Sequence, residues 1–462
     1  MAREEFNIAT NESAEGSYNV QQWNSSLGLD DGATDRAYAD KRSARRKVGC
    51  GFSALCVGML VAMVFAIVLL CIGFIVVYEN EGQVVATVDL YTEELPPEQA
   101  VWFETNMAEL RNAFRVVEEN KKRAKNVILF VALDSVDPSA SSFADHPRPI
   151  WESFPHLALL RPTTMERSTR ASFNPTSMFC GIETGWHTIG FDTAVKPWDE
   201  CVSSTPNIST HHAASIMQWA QSVGRRTGVV TNGEIVQPFS AALFAHAANA
   251  SWLHNSPDPL LCPDVRSQLL HGAVGKQLNV IAGTLNCPDE FCREAIEADW
   301  ENERLAEGSR YKVVNELNDL LDRKLKDVEY TLGLYDEQTL AEPTAFYDLV
   351  VGALSVLEGP EGFLLVVIAD PKVQTAPEEI DSAVRATLRK LSGTLDDSLI
   401  VVVRSDARAG DAAFATVHAI GPMSHLLHRV HNQTFLAHFI SYAARIGRFR
   451  DADLTNLILQ II

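Results

Sequence analysis

Positive charge is what this chain has little of. Over 462 residues, 39 Lys and Arg stand against 59 Asp and Glu, a net charge of -20. Beyond residue 78 the balance is 32 basic against 51 acidic. A surface that acidic excludes nucleic acid as a partner and argues against adhesion to anionic lipid. The chain has no internal repeat and, outside the first 40 residues, no low-complexity tract, which excludes solenoid and fibrous architectures. Cysteine is sparse, eight in all. Residues 48–78 lack any charged side chain, and that absence excludes them from an ordinary soluble surface.

The uncharged run contains GFSALCVGMLVAMVFAIVLLCIGFIVV and exceeds the ~20 residues that cross a bilayer. It starts too far into the chain for a cleaved signal peptide. Lys41, Arg42, Arg45, Arg46 and Lys47 crowd its N-terminal flank, whereas Glu79 and Glu81 follow it. The positive-inside rule therefore predicts a type II single-pass signal anchor over 48–78. Residues 1–47 form a polar cytosolic tail expected to be disordered. Residues 79–96 are a short acidic stalk, and 97–462 an ectodomain outside the cell or in a secretory lumen, with the plasma membrane the expected location. Cys50, Cys56 and Cys71 lie in the span; Cys180, Cys201, Cys262, Cys287 and Cys292 face an oxidising compartment, where disulfides are expected and an odd cysteine stays free. Asn207, Asn249 and Asn432 open glycosylation sequons on the outer side. Asn11 and Asn24 open sequons that cytosolic placement should leave bare.

Beyond the stalk, Met107, Leu110, Phe114 and Val117 mark a helix. Residues 125–135, KNVILFVALDS, read as a buried central strand with a polar tip, and function in open α/β sheets gathers just past such strand ends. Helical faces and apolar runs then alternate. Ile216, Trp219, Ala220 and Val223 precede a strand at 227–231; 280–282 is a short strand; a helix over 344–357 precedes a strand at 362–368; a helix over 380–391 precedes 399–403; Phe435, Phe439, Tyr442 and Ile446 mark the last helix. This alternation predicts an α/β fold with a mainly parallel central sheet covered by helices on both faces.

Seven stretches carry a resemblance: KNVILF (125–130), FCGIETGWHTIGFD (179–192), SIMQWAQSVGRRTGVVTN (215–232), FAHAANASW (244–252), TLGLY (331–335), GFLLVV (362–367) and GPMSHLLHRVHNQTFLAHFISYAARIG (421–447). In order and approximate spacing they resemble the alkaline phosphatase family of metal-dependent phosphomonoesterases, over roughly residues 97–447. The resemblance implies an alkaline-phosphatase-like core. It pairs Cys201 with Cys262, leaves Cys180 as a buried free thiol, and does not itself account for a local Cys287–Cys292 bridge.

Activity in that family requires two zinc ions, one magnesium, a serine nucleophile and an arginine that clamps phosphate. Set against those groups, this sequence departs from the pattern almost everywhere. The first-strand aspartate falls on Leu133, with Asp134 one residue late. The nucleophile's Asp-Ser-Ala falls on Arg170, Ala171 and Ser172. The magnesium-side His and Ser fall on Gln237 and Phe239, and the phosphate-binding Arg on Ala250. The family's Glu falls on Ile368, its Asp-His-Gly-His motif on Val373, Gln374, Thr375 and Ala376, and its Asp-His-Ser-His motif on Ser405, Asp406, Ala407 and Arg408. The crown insert that normally follows is missing, and its last metal-binding His goes with it.

Other candidates are weaker. His425, His428 and His431 share a three-residue spacing but read as imidazoles packing the last helix, and His211 and His212 as the environment of a helix start at Thr210. Arg170 and Arg408 converge on the vacated site, where they pair with Asp134 and Asp406 or bind an anion. Together these readings predict a catalytically inactive, membrane-anchored relative that acts in binding, adhesion or scaffolding. It would have no metal cofactor, no nucleic-acid partner and an extracellular protein partner, with a homodimer compatible with the family. The alternatives are an active phosphomonoesterase using zinc and magnesium, and an anion sensor without turnover.

Overall fold

The structure, a computed structural model, describes residues 122–450 except 134–147, 165–170, 186, 198–207, 288–289, 323–324, 326, 371–372, 374, 376 and 406–413, together with Met63. Everything below lies in the unit spanning Pro96–Ile462. The tail, the stalk, the helix marked by Met107 and the predicted span, Met63 apart, lie outside the described residues. Among the described residues no helix is long and apolar enough to cross a membrane.

In chain order the elements are β1 (Asn126–Leu133), β2 (His156–Arg161), β3 (Thr163–Thr164), β4 (Ala171–Ser172), α1 (Pro175–Cys180), α2 (Ile216–Gln221), β5 (Arg226–Glu234), α3 (Pro238–Ala241), α4 (Val265–His271) and β6 (Val280–Thr284). There follow α5 (Glu290–Glu307), β7 (Tyr311–Val314), α6 (Leu317–Leu320), β8 (Tyr330–Tyr335), α7 (Glu337–Leu340), α8 (Ala345–Leu357), β9 (Phe363–Ile368), α9 (Pro377–Lys390), β10 (Ser398–Ser405), β11 (Ala415–Ile420), β12 (Arg429–Asn432) and α10 (Phe435–Ala444). Ten strands form one sheet in the order β12-β2-β11-β10-β1-β9-β5-β6-β8-β7, and β3 pairs with β4 apart from it. Within the large sheet β11 runs antiparallel to both neighbours, and every other pairing is parallel.

The apolar runs explain the centre of the sheet. Along β1, Val127, Leu129 and Val131 enter one hydrophobic cluster, while Ile128, Phe130 and Ala132 enter another on the opposite face. Strands β9 and β10 alternate in the same way, so neither face reaches water and no polar residue interrupts the runs. The first face is covered by α1, α2, α4, α5 and α10 through residues such as Phe179, Met217, Leu269, Trp300 and Phe439. The second is covered by α8 and α9 through Phe346, Leu349, Ile380 and Val384. Short polar caps set the helix starts: Asn174 accepts from the Ser177 amide, Ser215 from Gln218 and Asp264 from Ser267. Gly421, at φ +109°, turns the chain out of β11 where a Cβ would collide with the Ser398 carbonyl oxygen.

The connections place the functional region. Strands β5 and β6 lead into α3, α4 and α5, which pack on the first face. Strands β8 and β9 lead into α7, α8 and α9 on the second. Where neighbouring parallel strands send their helices to opposite faces, a crevice opens beyond their carboxyl ends. The link between β10 and its neighbour β11 is only residues 406–414, so no crown domain is inserted there.

Candidate functional site

The strand tips at β1, β9 and β10 hold the positions where the resemblance expects metal. Leu133 stands in register with Ser405. Asp134, Arg170, Gln374, Ala376, Asp406 and Arg408 lie outside the described residues, as do the side chains of Leu133, Ala171, Ser172 and Ser405, so the expected convergence of Arg170 and Arg408 falls outside as well. The described positions are informative. Ile368 is 2% exposed and belongs to the first-face core. Phe239 and Ala250 pack against that same cluster. Gln237 donates through Nε2 to Glu234 Oε2 at 2.9 Å. A cavity of about 220 Å³ remains among Thr231, Gln237, Phe239, Ser240, Ile368 and Asp370, with neither histidine nor a cation in its lining.

The described residues among these positions do not fit the family's metals. Isoleucine, valine, phenylalanine and alanine offer no donor, whereas a catalytic zinc needs three protein ligands and magnesium needs hard oxygens. Among the described residues no group of three or more His, Cys, Asp or Glu could hold a metal ion.

Beside this corner, a cleft of about 870 Å³ opens at the carboxyl ends of β5, β6, β8 and β9. Its floor joins two strands far apart in sequence. Asn232 Oδ1 accepts from the Asp370 amide at 2.9 Å, and Asn232 Nδ2 donates to Thr375 Oγ1 at 2.7 Å. The Asp370 carboxylate lies over Gly233, where any Cβ would collide with it, so this glycine makes the space for the acid. Asp370 is 5% exposed. Glu234, at the tip of β5, accepts from His254 Nε2 at 2.6 Å. Burial alone would push its carboxyl up, but the bonds from His254, the Asn286 amide and Gln237 hold it below the ordinary carboxylate range. Across the cleft, Arg293 of α5 pairs with Asp336, and Glu337 opens α7.

Asn232, Glu234, Arg293, Glu337 and Asp370 are not among the positions the sequence singles out. Asp370, two residues past Ile368 in the run VVIAD, carried the nearest signal: an acid just beyond a buried parallel strand. Asn232→Ala should cost about 2 kcal/mol, because it leaves the buried Asp370 amide and the Thr375 hydroxyl without this partner. Urea denaturation checks this, and a loss below about 0.5 kcal/mol would mean that water replaces the carboxamide.

Other sequence-derived candidates fall elsewhere. His425, His428 and His431 do not share a helix. They occupy a 3-10 turn, the residue before β12 and β12 itself; His431 stacks on Phe435 at 3.9 Å, and His425 sits 6.4 Å from His156. His211 ends a 3-10 turn and pairs with Asp192, and the helix that follows starts at Ser215, not at Thr210. His212 stacks on His246. Cys287 and Cys292 form a disulfide, Cys180 is a buried free thiol, and burial pushes it up to about 12. Cys262 is disulfide-bonded, while Cys201 lies outside the described residues, as does Asn207. Asn249 is 1% exposed and its Oδ1 accepts from the Ser251 amide and hydroxyl, so the folded chain has no room for a glycan there. Asn432 is exposed on β12.

Comparison with known proteins points one way. A family model described as alkaline phosphatase matches residues 137–369. A membrane-bound alkaline phosphatase of Bombyx mori is 27% identical over 299 residues, 55% of this chain and 53% of the relative. Alkaline phosphatase 4 of Drosophila melanogaster is 24% identical, covering 62% and 56%. The chain thus spans about half the length of these two relatives. The tissue-nonspecific isozyme of Homo sapiens is 22% identical, covering 77% and 91%. Among solved structures, alkaline phosphatase from the Antarctic bacterium TAB5 superposes with a TM-score of 0.52 at 15% identity, over 71% of this chain and 99% of that one.

Proposed function

The chain belongs to the alkaline phosphatase family, and we propose that it is a pseudophosphatase, a member in which the metal and phosphate positions have been repacked and the remaining fold serves binding. The observation that carries this reading is Ile368. At the strand end where the family's resemblance expects a carboxylate, an isoleucine closes the core, with Phe239 and Ala250 against the same cluster. A serine attacks phosphorus at useful rates only when a metal or base activates it, and the described donor set offers neither zinc site nor magnesium site.

The ectodomain is held at a membrane by residues 48–78, faces outward, and engages a protein partner or a second copy of itself. Glycosidase treatment checks the topology: the full-length chain should shift in mobility, and Asn432→Gln should remove that part of the shift carried by β12. Asn11→Gln and Asn24→Gln should change nothing.

The activity test uses the purified full-length chain, zinc analysis and a generic phosphate monoester at alkaline pH. Expected are no stoichiometric zinc and hydrolysis no faster than buffer, with chelator and Ser172→Ala both without effect. Hydrolysis abolished by chelator would overturn the proposal.

A further inference from the structure

We infer that the open edge of the large sheet, β12 with the adjoining face of β2, binds an acidic polypeptide segment that adds to it as a further strand. The unpaired ladder is the first ground. Strand β12 ends the sheet and pairs with β2 alone. The Gln433 amide donates to the Arg161 carbonyl oxygen at 3.1 Å, so the odd-numbered residues of β12 turn their backbone groups to β2. The N–H and C=O groups of Val430 and Asn432 therefore face outward, with no ladder partner among the described residues. Strand addition uses such groups.

The exposed side chains are the second ground. Ala158 and Leu160 point into the first-face core, so Leu157, Leu159 and the Val430 in register with Leu159 point to the second face. Leu157, Val430 and Phe414, the residue before β11, are 51%, 45% and 42% exposed. None of the three belongs to the second-face core. This corner of the sheet is left uncovered and apolar.

Charge selects the partner. From Phe414 to Arg450 the chain carries four Arg, five His and neither Asp nor Glu, in a protein of net charge -20. Among the described residues of 148–164 and 414–450, Glu152 is the one acid. Arg161 and Arg429 are exposed, Arg161 lying 5.9 Å from the Phe414 ring. Arg429 stands at φ +69°, a left-handed conformation that strains any residue but glycine, so the cation is held there at a cost to the backbone. A second copy offering the same edge would set one basic margin against another. A sulfated polysaccharide would leave the ladder and the apolar side chains unused. A segment alternating carboxylates with aliphatic side chains matches all three features: its main chain meets the ladder, its aliphatic side chains lie beside Val430, and its acids reach Arg429 and Arg161.

The inference rests on the binding role proposed above, and complex formation is read separately from zinc content and hydrolysis, so either reading can fail alone. The test is calorimetric titration of the purified full-length chain with a short peptide alternating Glu and Val. Its Lys–Val counterpart, its fully N-methylated form and heparin are titrated in parallel. The Glu–Val peptide should bind, more weakly as salt rises, and the other three should not. Arg429→Glu should weaken binding about tenfold and Arg161→Glu about threefold. Val430→Pro deletes an outward N–H that β2 does not use, and should abolish binding. Both arginine variants alter exposed side chains, so they decide the matter even if Val430→Pro fails to fold. Asn432→Gln, which removes the sequon beside the edge, should leave binding equal or tighter. No binding of the Glu–Val peptide, equal binding of any of the three controls, indifference to both arginine reversals, or a dimer of the chain that Arg429→Glu converts to monomers overturns the inference.

Discussion

Ile368→Glu is expected to destabilise the protein by on the order of 3–5 kcal/mol and to recruit no zinc. The substitution puts back the carboxylate that the family carries at this strand end, so in an intact site it would be benign or helpful. Here the side chain points into the first-face core with 2% exposure. The small cavity beside it holds Asp370, a second acid, and no cation or histidine. A glutamate there must stay protonated, at the cost of a raised pKa, or bury a charge beside a like charge. The Gln237 carboxamide and whatever water the cavity admits offset only part of that cost. Chemical denaturation midpoints and zinc analysis of the variant check this. A variant as stable as the parent, or one that takes up zinc, would show that the strand end still has the plasticity of a metal site.

The centre of the fold was legible because its strands are buried on both faces. An unbroken apolar run such as 127–131 admits few other readings once it is bounded by Lys125 and a polar tip, and the same holds for 363–368 and 399–403. Legibility falls toward the edges. Strand β12, Arg-Val-His-Asn, has no buried residue and so no apolar alternation to mark it, and the three-residue spacing of His425, His428 and His431 runs from a turn into this strand, not along a helix. Strand β11 alternates buried Ala415, Val417 and Ala419 with polar residues, a weak signal because alanine is neutral in pattern. Helix α5 went unread for the opposite reason: half of its eighteen residues are charged, and it is anchored by Ile296, Trp300 and an Arg304 that lies 4.4 Å from the Tyr330 ring. That Gln237, Phe239, Ala250 and Ile368 stand where register against the family puts its ligands is a reading of the sequence alone. The cleft could not be read that way, because its floor is made by residues 138 apart, Asn232 and Asp370, that only the sheet order β9-β5 brings together.

Between neutral pH and about pH 4, folding stability should fall by roughly 3 kcal/mol through His246 alone. This imidazole is brought down to about 4, chiefly by burial, then by His212 stacked 4.1 Å away, with its bond to the Ala213 carbonyl opposing the shift. The unfolded chain takes up the proton near pH 6.5, the folded chain only near 4. Above 6.5 both are neutral and the contribution is complete; between 6.5 and 4 the unfolded state binds more protons, so stability drops as pH falls; below 4 the loss is complete. His156, His212, His418 and His425 are all held below the ordinary value by burial first, so they add in the same direction. Glu297 and Asp348, raised by burial, oppose them at lower pH. His246→Asn retains an amide donor near Ala213 but does not titrate. It should be less stable than the parent at pH 7.5, and the gap should close as pH approaches 4.5. Parallel stability curves for the two proteins over that range would mean that His246 protonates freely in the folded state, and that its stack with His212 opens readily to water.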